Sequence, residues 1–272
     1  MGSLTGQWVV VTGAGSGIGD AVAGSFAAAG ARLAVCDIDR EALAGAVARL
    51  GSAVAVARAV DVADRAARLD FAREVELAAG RSVDVVVNNA GVVHCGGLAE
   101  IAPSDWDWLL GVNLRGVIHG CEAFAPAMRA ARRGHIFNIA SVLGLYAAAG
   151  LLAYSTSKFA VVGFSQSLRA ELHADAVHVT AVCPGLIATS IARRGRFAEA
   201  RAASRAQAVK TVERGAPPSA VAAAILHQVG RPRAILPVSA DARWIARLAR
   251  VAPGALDRVA SYVLARAGLQ SR

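Results

Sequence analysis

Residues 8–19 read Trp8-Val9-Val10-Val11-Thr12-Gly13-Ala14-Gly15-Ser16-Gly17-Ile18-Gly19. The apolar, β-branched run up to Thr12 predicts a buried strand, and the Ala-rich run after Gly19 predicts a helix. Glycines between the two let the backbone turn sharply and approach an anion. The helix start then offers unpaired N–H groups and the positive end of its dipole to a pyrophosphate. The spacing departs from a strict G-x-G-x-x-G, because Ile18 stands where the third glycine counted from Gly13 would fall. A Gly-rich loop alone could be a plain tight turn; the strand before it and the helix after it point to a nucleotide.

Outward from this unit the pattern repeats. Apolar runs at Arg32–Asp37, Ala53–Arg58, Val83–Asn88, His135–Ser141, His178–Cys183 and Ala234–Pro237 alternate with longer Ala-rich stretches of helical character. Such alternation predicts a doubly wound, Rossmann-type α/β fold: a parallel sheet in a three-layer α/β/α sandwich, with ligands beyond the carboxyl ends of the strands. The second strand ends at Asp37. An acidic side chain there accepts hydrogen bonds from ribose hydroxyls and repels a 2′-phosphate, which favours NAD over NADP. Neither Ser16 nor Ile38 is basic, and Arg40 lies beyond the intervening Asp39.

The 272 residues suit one large domain, expected over residues 1–239, with a helical extension over 240–272. No stretch approaches the roughly 18 apolar residues needed to cross a bilayer, and no secretory leader is evident at the N-terminus. Cys36, Cys95, Cys121 and Cys183 stand far apart, which predicts reduced thiols, no metal site and a cytoplasmic setting. Charge is uneven. Residues 1–189 carry 14 Lys and Arg against 16 Asp and Glu, whereas residues 190–272 carry 15 against 4. The basic third could meet an acidic partner or an anionic membrane, but no nucleic-acid recognition motif accompanies it. A coding preference for arginine would explain Arg over Lys, though not the scarcity of acids.

Tyr154-Ser155-Thr156-Ser157-Lys158 opens a predicted helix, and positions i and i+4 share a face, so phenol and ammonium stand together. A free tyrosine titrates at about 10. A neighbouring ammonium, joined by an oxidised nicotinamide ring, would stabilise the phenolate and fit it for acid/base work near neutrality. Ser141 ends a predicted strand at the ligand edge, with a hydroxyl able to donate and accept. Asn113 falls within a predicted helix.

These residues, taken in order, resemble the short-chain dehydrogenase/reductase family in its compact single-domain form. The family's Thr-Gly-x-x-x-Gly-x-Gly loop is matched at Thr12, Gly13, Gly17 and Gly19, with Ser16 and Ile18 inside it. Its Asp with a small apolar neighbour is matched at Asp61 and Val62, and its Asn-Asn-Ala-Gly at Asn88, Asn89, Ala90 and Gly91. The Pro-Gly and following Thr are matched at Pro184, Gly185 and Thr189.

The resemblance implies that Ser141 orients a substrate oxygen and Tyr154 exchanges its proton. Lys158 would hold the nicotinamide ribose and tune Tyr154, and Asn113 would position a water. It implies that Asp61 and Val62 lie near the adenine, and that Pro184, Gly185 and Thr189 lie against the nicotinamide. The expected activity is NAD-dependent interconversion of a hydrophobic secondary alcohol and its ketone, in a homodimer or homotetramer. An NADPH-dependent ketoreductase and a non-catalytic nicotinamide-binding sensor or scaffold are the alternatives.

Residues 190–215 would form the substrate lid, with Arg193, Arg194, Arg196, Arg201 and Arg205 either greeting an anionic substrate or facing solvent. His94, Leu143, Tyr146, Leu186 and Ile191 are candidate pocket walls. In the extension, Trp244, Ile245, Leu248 and Val251 recur at helical spacing beside Arg243, Arg247 and Arg250. Leu256, Val259, Val263 and Leu264 form a second set, with Arg258 and Arg266 offset. Two amphipathic helices are expected, able to pack on the domain or a partner subunit, or to lie on anionic membrane.

Overall fold

The structure, a computed structural model, describes residues 4–252. Its strands are β1 (Trp8–Thr12), β2 (Arg32–Asp37), β3 (Val54–Ala59), β4 (Val85–Asn88), β5 (His94–Cys95), β6 (Gly134–Ile139), β7 (Val177–Pro184), β8 (Arg196–Phe197) and β9 (Ile235–Val238). Its helices are α1 (Gly17–Ala28), α2 (Arg40–Leu50), α3 (Arg65–Ala79), α4 (Pro103–Leu110), α5 (Gly116–Ala130), α6 (Leu152–Glu171), α7 (Ile191–Arg194), α8 (Arg205–Glu213), α9 (Pro218–Gln228) and α10 (Ala240–Val251).

Seven strands form one sheet in the order β3-β2-β1-β4-β6-β7-β9, every pair parallel. The order runs outward from β1 in both directions. Connections therefore leave β1 and β4 toward opposite faces, opening a crevice beyond their carboxyl ends. Alternate side chains of one strand enter two separate cores. Val9 and Val11 pack with Phe26, Leu33 and Ile225 under α1 and α9, while Trp8 and Val10 pack with Phe71, Phe124 and Val161 under α3, α5 and α6. Burial on both faces is why these strands read as unbroken apolar runs.

Local signals place the helices. Asp39 and Asp64 each accept a backbone N–H from the first turn of α2 and α3, from Ala42 and Ala67 at 3.1 Å. Gly80, in the left-handed region, closes α3.

Three expectations shift. The fourth strand begins at Val85 and not Val83, because the Asp84 carboxylate takes the Trp8 N–H at 2.8 Å and pairs with Arg81. The fifth expected strand stops at Ile139. Ser141 instead caps a 3₁₀ turn over residues 142–144, accepting the Leu143 N–H at 3.1 Å. Asn113 does not sit in an α-helix but in a π-helical segment, Gly111–Arg115, joining α4 to α5. The first expected amphipathic helix is α10; Leu256, Val259, Val263 and Leu264, with Arg258 and Arg266, lie outside the described residues. Among the described residues no helix is long and apolar enough to cross a membrane, and no cluster of His, Cys, Asp and Glu could hold a metal ion.

Candidate active site

The loop after β1 is built for close approach. Gly13 has φ +64°, and a Cβ there would stand 2.9 Å from the Asn89 amide nitrogen. A Cβ on Gly19 would collide with the Gly13 carbonyl oxygen. Ser16 is extended and makes no side-chain cap, so the first N–H groups of α1 remain available to an anion. Ile18 turns inward against the α1 core.

Asn89 clamps this loop to the end of β4. Its amide donates to the Thr12 and Gly13 carbonyls at 2.8 and 3.2 Å, while the Thr12 hydroxyl accepts the N–H groups of Asn89 and Ala90 at 2.9 and 3.0 Å. Thr189 reaches the same loop from the far side, its methyl 3.2 Å from where a Gly17 Cβ would be.

At the end of β2, the buried Asp37 carboxylate accepts the Gly15 N–H at 2.8 Å and the Asp39 N–H at 3.0 Å. A carboxylate has about four acceptor positions, so two N–H groups leave capacity for hydroxyls. Asp61 accepts the Ala63 N–H at 2.9 Å in an Asx turn, and Val62 is buried against Gly116. A glycine cradle without room for side chains, an uncapped helix start and a carboxylate at the second strand end fit a dinucleotide.

Past β4, the chain brings three candidate residues together. Gly91 lies where a Cβ would be 3.4 Å from Asn113 Oδ1 and 3.5 Å from Lys158 Nζ. The Asn113 side chain accepts the Val92 N–H at 2.8 Å and donates to the Val92 carbonyl at 2.9 Å and to Ser157 Oγ at 3.1 Å. Ser157 in turn donates to the Tyr154 carbonyl at 2.7 Å, so the π-helical segment is stitched to the first turns of α6. Lys158 is buried, its ammonium donating to the Ile139 carbonyl at 2.9 Å and lying 5.6 Å from the Tyr154 ring centroid. The Ser141 hydroxyl lies close enough to the Tyr154 phenol to favour its ionised form.

The expected lowering of the Tyr154 pKa includes a bound oxidised nicotinamide; in the protein by itself, burial dominates. Burial pushes the phenol up to about 12, against a smaller opposing effect of the Ser141 hydroxyl. Burial also pulls the Lys158 ammonium down to about 8, partly offset by the Cys183 thiol.

Arg68, Asn138 and Ser165 carry no sequence signal, yet they join Asn88 in a buried polar chain. Arg68 is fully buried between the rings of Phe71 and Phe124, its guanidinium 3.4 Å from Asn88 Oδ1 and 3.8 Å from Cys36 Sγ. Asn88, Asn138 and Ser165 continue this polar chain beneath the sheet, at 2.9 and 3.0 Å. In the 190–215 segment five arginines are engaged. Arg193 pairs with Glu213, Arg194 with Asp39 at 3.7 Å, Arg196 with Asp105 at 2.7 Å and Arg201 with Glu100 at 2.6 Å. Arg205 donates to the carbonyls of Arg193 and Gly195. Of the candidate walls, His94 is buried with Nε2 3.4 Å from Asp105, Leu143, Tyr146 and Ile191 are half-buried, and Leu186 is exposed.

Comparison with known proteins agrees with this arrangement. The family described as short chain dehydrogenase matches residues 7–200. The oxidoreductase SadH of Mycobacterium tuberculosis is 35% identical over 278 residues, covering 98% of each chain. The oxidoreductase EphD of the same organism is 37% identical over 262 residues, 93% of this chain; the chain spans 44% of the length of EphD. A crystal structure of a short chain dehydrogenase/reductase from Burkholderia phymatum in complex with NAD superposes with a TM-score of 0.81 at 32% identity, covering 87% of this chain and 90% of that one. Sheet order, glycine cradle and the Ser141–Tyr154–Lys158 grouping thus converge with these likenesses: the chain belongs to the short-chain dehydrogenase/reductase family.

Proposed function

We propose that the protein is an NAD-dependent oxidoreductase that interconverts a hydrophobic secondary alcohol and its ketone, with Tyr154 as general acid/base. The observation that carries this reading is the meeting of Ser141, Tyr154 and Lys158 beyond the carboxyl ends of β4 and β6. In ketone reduction the Ser141 hydroxyl holds the substrate oxygen and Tyr154 O–H gives it a proton; in oxidation Tyr154 takes that proton back. The nicotinamide, when bound, accepts or donates the hydride. Lys158, protonated below about 8, supplies the positive charge that favours phenolate and opposes the effect of burial. Both Asn113 amide hydrogens are engaged by Val92 and Ser157, so the side chain can hold a water only as acceptor, through the second lone pair of Oδ1.

Asp37 supports NAD: a 2′-phosphate would meet a buried carboxylate already fixed by two N–H groups. The Burkholderia phymatum relative was solved with NAD. The engaged arginines of the 190–215 segment, read as the substrate lid, favour an apolar substrate over an anionic one. Four free cysteines are in keeping with a reducing, cytoplasmic setting, and a homodimer or homotetramer is the assembly we infer. On α10, Trp244 and Val251 are 71% and 83% exposed beside Arg243 and Arg247, which supports peripheral contact with anionic membrane.

Absorbance at about 340 nm, the reduced-nicotinamide band, follows turnover of hydrophobic secondary alcohols with NAD⁺ or NADP⁺. Turnover with NAD⁺ that collapses by about 10²-fold or more in Tyr154→Phe is the expected result. Preference for NADP⁺ would favour the ketoreductase. Tight NADH binding with no turnover on any alcohol would favour the sensor.

A further inference from the structure

We propose that Asp241, in the first turn of α10, is a positioning residue for the loop Pro184–Leu186, so that the C-terminal helix forms part of the hydride-transfer site. The inference rests on the cofactor reading above, in which this loop lies against the nicotinamide.

The loop leaves β7 with two consecutive N–H groups to satisfy, and the corner between β9 and α10 takes both. Gly185 N–H donates to the Val238 carbonyl at 3.0 Å, and Leu186 N–H donates to Asp241 Oδ2 at 3.2 Å. The approach leaves no room for a side chain at Gly185. A Cβ at Gly185 would collide with the Asp241 carboxylate and stand 2.5 Å from Ser239 Oγ. The corner itself is held in an unfavourable conformation. Ser239 has φ +90°, outside the range an L side chain readily adopts, and its buried hydroxyl has no hydrogen-bond partner among the described residues. Such a conformation persists only where surrounding contacts fix it, and it delivers Asp241 to the loop.

The carboxylate also faces the opposite wall. α10 packs on the turn at residues 142–144 that follows Ser141, and Asp241 adds to the effect of burial in raising the Tyr146 phenol. Its charge runs against its surroundings: residues 190–272 hold four acids against 15 Lys and Arg. An acid in a first helical turn also suits the helix dipole, and this is the role the test must separate. A dipole role needs the charge. A role in fixing Leu186 needs only an acceptor oxygen of the right reach, which asparagine keeps and alanine removes.

Binding of NADH and of ADP-ribose, which lacks the nicotinamide, is measured by fluorescence or calorimetric titration on wild type, Asp241→Asn and Asp241→Ala. Because Asp241 is exposed, folding is checked by thermal midpoint. The expected result is a 5- to 10-fold weaker NADH affinity for Asp241→Ala, unchanged ADP-ribose affinity, and near wild-type values for Asp241→Asn. Equal weakening of both ligands, parallel losses in Asn and Ala variants, or no change in NADH affinity would each overturn the assignment. Wild-type protein that failed to bind NADH would overturn the cofactor reading itself, and the assignment with it.

Discussion

Lys158 offers a test in which catalysis need not be measured. The residue is 3% exposed, and its amine has no carboxylate partner among the described residues and donates to the Ile139 carbonyl. Burial lowers its pKa from 10.5 to about 8. At about 1.4 kcal/mol per pKa unit, the folded protein carries a penalty of about 3 kcal/mol whenever this amine is protonated. The sign follows from linkage. Between about 8 and 10.5 the unfolded chain keeps the proton and the folded chain has released it, so stability rises with pH across that window; below about 8 the penalty is borne in full. Lys158→Met removes the charge and keeps an unbranched apolar side chain, leaving the Ile139 carbonyl without its donor at a cost of about 1–3 kcal/mol. The two effects nearly offset at pH 7. Their pH dependence does not. Wild-type stability should gain on the variant by about 1.4 kcal/mol per pH unit between 8 and 10. Tyr154 and Cys183, both raised to about 12, stay neutral in the folded state throughout. Urea unfolding of both proteins at pH 7, 8, 9 and 10 gives the difference directly, and parallel stability curves would refute the reasoning.

Two further substitutions probe the loop and the buried cation. Gly19→Ala places a methyl group against the Gly13 carbonyl oxygen, and should abolish measurable NADH binding and destabilise the fold by about 2–4 kcal/mol. Retention of wild-type affinity would show that the cradle is not the phosphate site. Arg68→Met replaces a fully buried guanidinium, held by long contacts to Asn88 and Cys36, with an apolar chain. Stability should stay level or rise by about 1–3 kcal/mol in chemical denaturation, since the loss of a poorly compensated buried charge offsets the broken contacts. A loss of several kcal/mol would mean that the Asn88–Asn138 chain depends on it.

Legibility in the sequence followed the range of the interaction. The strand–loop–helix from Trp8 to Ala28 is readable because its determinants are adjacent: an unbroken apolar run, glycines that must pass one another, and a helix start. Tyr154 and Lys158 were readable as a pair because one helix turn joins them. The π-helical segment was not, since what fixes Asn113 is the backbone of Val92, 21 positions earlier, and Ser157, 44 positions later. Ser141 was read at a strand end, and the structure puts it two residues beyond, capping the next turn. The raised Tyr154 pKa was invisible because adjacency reveals a neighbouring ammonium but not the burial that outweighs it.

The arginines of residues 190–215 show the same limit in charge. Counted by segment, they are an unbalanced cationic cluster that invites an anionic ligand. In space three of them find partners elsewhere: Arg201 and Arg196 meet Glu100 and Asp105 around the start of α4, and Arg194 meets Asp39 at the start of α2, while Arg193 pairs with Glu213 inside the segment. The small acidic excess of the first 189 residues is thus placed in part to receive the basic third. Each exposed pair contributes only about 0–1 kcal/mol, so these contacts add little to stability. Their effect is positional. Arg196 links β8 to α4 while stacking on Trp108 at 3.9 Å, and Arg201 meets Glu100, which also accepts the Gly97 N–H at 2.5 Å. Between these contacts the segment carries the half-buried Ile191 and Phe197 and the buried Ala192. With five of its arginines engaged, the charge excess of the segment loses its force as a signal for an anionic substrate, in keeping with the apolar substrate proposed above.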